Sequence, residues 1–130
     1  MPELKTGIKC IKEETVTEEL TAASIGSGGL PVYATPEMIR LMENTAWSSV
    51  EEYMDEGCST VGILMNVSHV SASPVGAHIR CESELVEIDG RKLVFKVSAY
   101  DDSGLIGEGH HERFIISNDK FMKKVGDLHA

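Results

Sequence analysis

The chain has 130 residues, of which 42% are hydrophobic and 25% are charged, and its formal net charge is −9. This length and composition predict one globular domain over residues 1–130 and exclude a disordered chain. The negative charge argues against nonspecific binding to nucleic acid or to an anionic membrane, since both would repel the protein. No apolar run reaches the roughly 18 residues that a membrane-spanning helix needs.

The N-terminus and the cysteines indicate the compartment. The first ten residues, MPELKTGIKC, contain no apolar signal-peptide core, which favours a cytoplasmic protein. Cys10, Cys58 and Cys81 are widely scattered, and their spacing matches neither a disulfide framework nor a metal site. No activating group stands beside them, so we predict reduced and mostly buried thiols.

The N-terminal part of the chain predicts a strand and a flap. Residues 7–17, GIKCIKEETVT, mix β-branched and charged residues as a strand does. Residues 22–31, AASIGSGGLP, are rich in glycine and serine and predict an irregular, mobile segment. The GSGG within it lacks a preceding buried strand and a following lysine, so a lid is a better interpretation than a phosphate-binding loop.

A long helix is predicted from Pro36 to about Glu56. Thr35 can cap the first free amides, proline loses nothing at the first helical position, and Gly57 is well placed to end the helix. At about 100° per residue, Glu43 falls inside the apolar arc of this helix. That arc consists of Met38, Ile39, Met42, Ala46, Trp47, Val50, Tyr53 and Met54.

The position of Glu43 leaves two hypotheses open. Burying an ionised carboxylate without partners costs several kcal/mol, so the residue needs a reason to be there. It could reach water from the end of the arc or pair with a core arginine such as Arg80 or Arg113. Alternatively, it could face a pocket as a base or a nucleophile, with a pKa set by partial burial.

Four strands and a terminal helix are predicted to follow. The turn signals between the strands are SASPVG, Asp89-Gly90 and DDSG, and such tight turns predict antiparallel neighbours. The pattern therefore predicts an α+β fold, in which an antiparallel sheet of about five strands curls around one long helix. Since a sheet edge is left unprotected, we expect dimerisation. The four predicted strands cover residues 59–70, 77–88, 91–100 and 105–116, and the terminal helix lies within 118–130.

His69 is the second ionisable residue expected to point inward. It shares strand parity with Val61, Ile63, Met65 and Val67 and therefore belongs to the face that looks toward the helix. A histidine there is either a core residue with satisfied hydrogen bonds or a proton-transfer group. Its pairing with Glu43 on a facing element favours the second hypothesis.

The last strand carries four consecutive polar residues, His110 to Arg113. Adjacent strand residues point to opposite faces of a sheet, so these side chains cannot all converge on one ion. The pattern therefore argues against a metal site.

With these residues placed, the sequence resembles the hot-dog-fold thioesterases, in particular the group that includes fluoroacetyl-CoA thioesterase. The similarity covers residues 31–125 and rests on VYAT with a glutamate eight residues after its threonine, on GILMNVSHVSASPVG, and on VSAYDD with IGEGHHERFII. The catalytic threonine, glutamate and histidine of that family match Thr35, Glu43 and His69. The glycine and arginine that help to position the thioester match Gly62 and Arg113.

The resemblance implies a homodimer that hydrolyses a small acyl-CoA at sites between its subunits, without a cofactor or a metal ion. Glu43 would activate water or attack the thioester directly, and the sequence leaves this choice open. Thr35 and His69 would orient the reacting groups and manage protons, while a main-chain amide near Gly62 or at the helix N-terminus holds the thioester oxygen. Fluoroacetyl-specific members place phenylalanines in the lid, whereas residues 22–31 contain no aromatic residue. Fluoroacetate is therefore not implied as the acyl group, and Tyr33 is the nearby aromatic.

Two other functions remain as alternatives. A hot-dog hydratase or dehydratase would show a different arrangement of aspartate and histidine on the helix, and the Thr35–Glu43 pair argues against it. A non-catalytic acyl-CoA-binding or sensing protein would keep the pocket without turnover, although the acidic chain shows no DNA-binding segment.

Overall fold

One long helix packs against a five-stranded antiparallel sheet in the computed structural model, which describes residues 3–130. The predicted α+β class and the number of strands are confirmed. The strands are β1 (Lys9–Thr15), β2 (Cys58–His69), β3 (His78–Asp89), β4 (Lys92–Asp101) and β5 (Gly104–Ser117). The helices are a 3-10 turn (Glu18–Leu20), α1 (Ala22–Ile25), α2 (Thr35–Glu51) and α3 (Asn118–Leu128).

The strand order is β1-β3-β4-β5-β2, so β1 and β2 are the two edges of the sheet. The predicted hairpins at Asp89-Gly90 and at residues 101–104 are confirmed, and Gly90 adopts the left-handed conformation that the first turn requires. The expectation that β2 and β3 are neighbours is wrong. Segment 70–77 is a crossover, because β2 pairs with β5 at the opposite side of the sheet from β1.

Helix α2 differs from its prediction at both ends. It ends at Glu51, and the chain turns through residues 52–57 before β2 begins. Gly57 has a φ of 80° and lies in the turn that leads into β2, so it does not end the helix as predicted. At the other end Ala34 is the N-cap residue and no side chain caps the helix, so the predicted capping role of Thr35 is wrong. Thr35 is already helical, and its hydroxyl is bonded elsewhere.

The core lies between α2 and the inner face of the sheet. Helix α2 contacts β1, β2, β3 and β4, and its buried face is rotated away from the predicted arc. Trp47 is therefore 40% exposed, and Glu43 lies at the edge of the buried face. The buried helix residues are Met38, Leu41, Met42, Thr45, Ala46, Ser49 and Val50, and the sheet contributes Ile79, Cys81, Leu85, Leu93, Phe95, Val97, Ala99 and Ile106.

A bulge in β2 changes which residues face the helix. The pairing with β5 shifts between Gly62 and Leu64, so Ile63 has no partner and is 51% exposed. Thr60 is buried before the bulge, whereas His69 and its alternate neighbours point inward after it. The prediction of one continuous inward parity from Val61 to His69 is therefore wrong for the first part of the strand.

The flap is more regular than predicted. Ala22–Ile25 forms one helical turn, because the Thr21 hydroxyl accepts a hydrogen bond from the Ser24 amide at 3.3 Å. Gly26 ends the turn in the left-handed conformation. The predicted terminal helix is confirmed as α3, which buries no residue. Within residues 3–130, no helix is both long enough and apolar enough to cross a membrane.

All three cysteines are free thiols, as predicted. Only Cys81 is fully buried, and burial raises the pKa of its thiol to about 11. Cys10 and Cys58 are partly exposed, because each lies on the outermost strand at its own edge of the sheet.

Candidate active site

The first group of site residues joins the start of α2 to the end of β2. Thr35 Oγ1 lies 2.8 Å from Nδ1 of His69. Both residues line an open depression of about 270 Å³, together with Tyr33 and the small side chains of the flap and crossover. A threonine that does not cap its helix is free to make this bond.

The imidazole of His69 is held neutral and in a defined orientation. Burial lowers the pKa of His69 below its ordinary value near 6.5. The ring of Tyr33 packs edge-on against it, with centroids 6.4 Å apart. Nε2 of His69 is buried and finds no hydrogen-bond partner in the part of the chain that the structure describes. This nitrogen is therefore a polar atom of the site that lies close to the main chain of Ser71 without a directed hydrogen bond.

Tyr33 is itself anchored by an ionic network behind the site. Its ring is 1% exposed, and its hydroxyl donates a hydrogen bond to Glu14 on β1. Arg40 of α2 forms ion pairs with both Glu14 and Glu37, at 2.5 and 2.6 Å. Burial, reinforced by the Glu14 carboxylate, raises the pKa of Tyr33, so its hydroxyl stays protonated. The network ties the segment before α2 to the sheet.

The second group surrounds Glu43. Its carboxylate faces Gly62 and lies 3.8 Å from Nη1 of Arg113, with side chains that are 47% and 8% exposed respectively. A Cβ atom on Gly62 would lie 3.0 Å from Oε2 of Glu43 and 3.3 Å from Cε1 of His111. A glycine at this position therefore lets the carboxylate approach the strand. Glu43, residues 62–65 and His111 line an open cavity of about 220 Å³.

Arg113 is held by a set of directed hydrogen bonds. Its Nε donates to Oγ1 of Thr60 at 2.8 Å, and its Nη2 donates to the Thr60 carbonyl at 2.9 Å. Nη1 lies 3.2 Å from Nε2 of His111. Burial lowers the pKa of Arg113, while Glu43 and Glu51 oppose that effect, and a guanidinium remains charged in either case.

The structure brings the five predicted site residues into two groups. Thr35 and His69 form one, and Glu43, Gly62 and Arg113 form the other. Thr35 and Glu43 are eight residues apart on α2, which corresponds to about 12 Å along the helix axis. No hydrogen bond or ion pair joins the two groups within residues 3–130.

The geometry agrees with both hypotheses for Glu43. The carboxylate pairs with Arg113, and it also faces a cavity. Arg80 does not contribute, since it pairs with Glu82 and stacks over the ring of Tyr100. A larger cavity of about 370 Å³ lies near Arg80 and contains none of the predicted site residues.

The four polar residues of β5 alternate as predicted. His111 and Arg113 are buried, whereas His110 is exposed on the other face. Among the described residues, no three histidine, cysteine, aspartate or glutamate side chains are grouped as metal ligands. His111 was not predicted to have a role of its own, although its position two residues before Arg113 on the same strand places both side chains on one face of the sheet.

Known proteins are similar to this chain in sequence and in fold. Residues 16–119 match the FlK family, fluoroacetyl-CoA-specific thioesterase. The fluoroacetyl-CoA thioesterase of Streptantibioticus cattleyicolor is 37% identical over 94 residues, which are 72% of this chain and 68% of that protein. A solved structure of the fluoroacetyl-CoA thioesterase FlK has a TM-score of 0.90 at 30% identity and covers 97% of this chain and 98% of its own.

The predicted hot-dog fold is confirmed by a more distant structure as well. A hot-dog-like protein from Thermanaerovibrio acidaminovorans has a TM-score of 0.89 at 19% identity. The match covers 96% of this chain and 93% of that protein.

Proposed function

Because the chain belongs to the fluoroacetyl-CoA-specific thioesterase family, we propose that it hydrolyses a small acyl-CoA thioester to the free acid and CoA. The observation that carries this proposal is the placement of Glu43. Its half-exposed carboxylate is directed at a cavity by a buried arginine and lies against a glycine of the facing strand. A carboxylate in this setting can act on an electrophilic carbonyl.

Glu43 has two chemical routes to the same products. As a base, it takes a proton from water while the water oxygen bonds to the thioester carbon, and the C–S bond then breaks. As a nucleophile, it bonds to that carbon and expels the CoA thiolate, which leaves a mixed anhydride for water to hydrolyse. Arg113 directs the carboxylate in either route.

In the proposed homodimer, Thr35 and His69 of one subunit orient the thioester that Glu43 of the other subunit attacks, because about 12 Å separates Thr35 from Glu43 along one α2. The hydroxyl and the imidazole are already hydrogen-bonded, and the neutral ring can accept a proton that is released when water attacks and then, as the imidazolium, donate it to the departing thiolate. The Thr35 amide at the N-terminus of α2, or the amide of Gly62, stabilises the oxyanion that forms on the thioester carbonyl, since Pro36 has no amide hydrogen and the next two amides already bond to the Ala34 carbonyl.

The part of the site that contacts the acyl group should discriminate little between acyl groups of similar size. The depression beside Thr35 is lined by Ala22, Ser27, Val32 and Ala72, and the flap supplies no aromatic ring to it. These small side chains leave room for short acyl groups that differ by a single atom, such as acetyl and fluoroacetyl. Acetyl-CoA and fluoroacetyl-CoA are therefore expected to be hydrolysed with comparable kcat/KM.

A panel of short acyl-CoAs, with thiol release measured, tests the proposed function. Glu43→Gln serves as the inactive control, and a protein blank corrects for Cys10, Cys58 and Cys81. Turnover of at least one substrate, lost in the variant, supports the thioesterase. Binding of acyl-CoA without release of thiol by the wild type would contradict it and favour the acyl-CoA-binding or sensing alternative. A hydratase would instead add water to an enoyl-CoA, which the loss of enoyl absorbance reports.

The proposed assembly is a homodimer that pairs through β2. This edge strand has 12 residues and exposes Ile63 and Leu64, whereas the β1 edge has 7 residues with the charged sequence KCIKEET. Charged, short edges resist pairing, and longer apolar ones invite it. The bulged part of β2 also borders the Glu43 cavity, so a second subunit there would complete the walls of the site.

A further inference from the structure

His111 is a buried histidine with two directed hydrogen bonds. It is 1% exposed, and its ring stacks on Phe95 with centroids 6.2 Å apart. Nδ1 lies 2.8 Å from the carbonyl oxygen of Leu64, which can only accept a hydrogen bond. Nδ1 must therefore carry the proton. In a neutral ring Nε2 then has a lone pair, and it faces Nη1 of Arg113 at 3.2 Å.

This arrangement completes the anchoring of Arg113. Thr60 holds the Nε and Nη2 atoms, so His111 is the acceptor that fixes the remaining Nη1. The same Nη1 lies 3.8 Å from Oε2 of Glu43. A shift of Nη1 would therefore move the charge that directs Glu43.

The ring also connects Arg113 to the bulge. Leu64 is the first paired residue after the register shift, and Gly62 is the last one before it. By accepting from the imidazole, the Leu64 carbonyl ties the bulged segment to the same side chain that holds Arg113. The Gly62 position and the Arg113 position are thus set by one residue.

We propose that His111 is a positioning residue of the thioesterase site, which holds Arg113 against Glu43 through its neutral Nδ1–H form. The proposal rests on the proposed function for its kinetic consequences only. This role requires a side chain that donates a hydrogen bond to Leu64 from one side of a planar group and accepts one from Arg113 on the other side. Burial lowers the pKa of His111, which keeps the ring neutral as this role demands.

Two substitutions separate the two hydrogen bonds. In His111→Gln, the side-chain oxygen can reach the position of Nε2 and accept from Arg113, and the bond to Leu64 is lost. In His111→Asn, the amide can donate to Leu64 but cannot reach Arg113. We expect His111→Gln to keep kcat within about threefold of wild type and His111→Asn to lose about tenfold or more, because misplaced catalytic groups lose rate steeply. KM should change less than kcat in both.

Matched controls exist on the same strand. His110→Gln and His110→Asn alter the exposed neighbour and should leave kcat unchanged. Thermal unfolding of all four variants gives their stability, and His111→Gln and His111→Asn should be destabilised to a similar extent. Equal losses of kcat in these two variants would show a merely structural role and overturn the proposal.

Nitrogen-15 NMR of histidine-labelled wild-type protein tests the geometry without any turnover. At pH 7 we expect His111 as the neutral Nδ1–H tautomer. An Nε2–H tautomer or a charged ring would overturn the proposal even if the protein is an active thioesterase. The predicted tautomer in a protein that hydrolyses no acyl-CoA would uphold the anchoring of Arg113, and the failure would then lie with the proposed function.

Discussion

At the scale of single residues, the ion pair between Glu43 and Arg113 is unequal. The guanidinium is buried and has hydrogen-bond partners at each nitrogen, whereas the carboxylate is half exposed and pairs with this guanidinium at 3.8 Å. An ion pair with one exposed member contributes little to stability, because solvent screens it. Orientation of the carboxylate is therefore the more important consequence of this contact.

Glu43→Gln should separate catalysis from stability. The amide can neither take a proton nor form an anhydride, so turnover should fall by roughly two orders of magnitude or more. The free energy of unfolding should change by less than about 1 kcal/mol, and acyl-CoA binding should persist. Glu37→Gln is the matched control, since it also removes an ion pair from α2 but lies on the side of Arg40. Hydrolysis by Glu43→Gln within about threefold of wild type would refute the catalytic assignment.

The partly buried His69 and the buried His111 predict how the stability of the protein depends on pH. Burial lowers the pKa of both His69 and His111 below the ordinary value near 6.5. Below that value the unfolded chain takes up protons that the folded protein excludes, so the unfolding free energy should fall as the pH drops from 7 toward 5. Urea unfolding at several pH values measures this slope. It should become shallower in His111→Gln and remain unchanged in His110→Gln. A wild-type slope no steeper than that of His111→Gln would contradict the prediction.

At the scale of secondary structure, the first turn of α2 packs directly against Gly107 of β5. Gly107 pairs with His69 across β2 and β5, and a Cβ atom there would lie 2.5 Å from Sδ of Met38 and 2.8 Å from the Ser68 carbonyl oxygen. The absence of a side chain lets the first turn of the helix approach the sheet closely. This approach brings Thr35 within hydrogen-bond distance of His69.

Gly107→Ala should therefore damage both packing and the site. Met38 could move, but the Ser68 carbonyl belongs to the main chain, so we expect a loss of about 1–3 kcal/mol from overpacking. The kcat should fall as well, because Thr35 is displaced from His69. Gly126→Ala in α3 is the control, since nothing lies within 4 Å of its added atom and alanine favours a helix by about 0.5–1 kcal/mol. Chemical denaturation and kinetics measure both effects. A fully stable and active Gly107→Ala would show that this contact does not position the helix.

At the scale of the whole molecule, the two sheet edges differ in what they offer a partner. The β2 edge is long and carries exposed apolar side chains, and the β1 edge is short and charged. Hydrophobic burial can then add to new main-chain hydrogen bonds at β2, whereas pairing at β1 would bring charged side chains together. This difference is the physical basis for the proposed β2 dimer.

Substitution of one exposed residue on each edge distinguishes the two surfaces. Ile63→Asp should yield monomers at micromolar concentration, because it introduces a charge into the expected interface. Ile11→Asp, at an apolar residue of similar exposure on β1, should leave the dimer intact. Light scattering coupled to size exclusion measures the masses. A fully active wild-type monomer would eliminate the dimer proposal.

The sequence by itself determined the local features of this protein. The extent of the strands, the hairpin at Asp89-Gly90 and the existence of α2 follow from periodicity and turn residues, which act over a few positions. The spacing of Thr35, Glu43 and His69 carried the resemblance that the family match later confirmed. Each of these signals depends on residues within one element or in two elements that are consecutive in the chain.

The tertiary structure alone decided the contacts between distant elements. The bulge beside Gly62, the pairing of β2 with β5, the hydroxyl of Thr35 on His69 and the bond from Arg113 to His111 depend on how elements pack. A bulge reverses strand parity without a strong sequence signal, so Thr60 rather than Val61 is buried. A polar side chain can satisfy its hydrogen bonds in several ways, and only the packed neighbours select one of them.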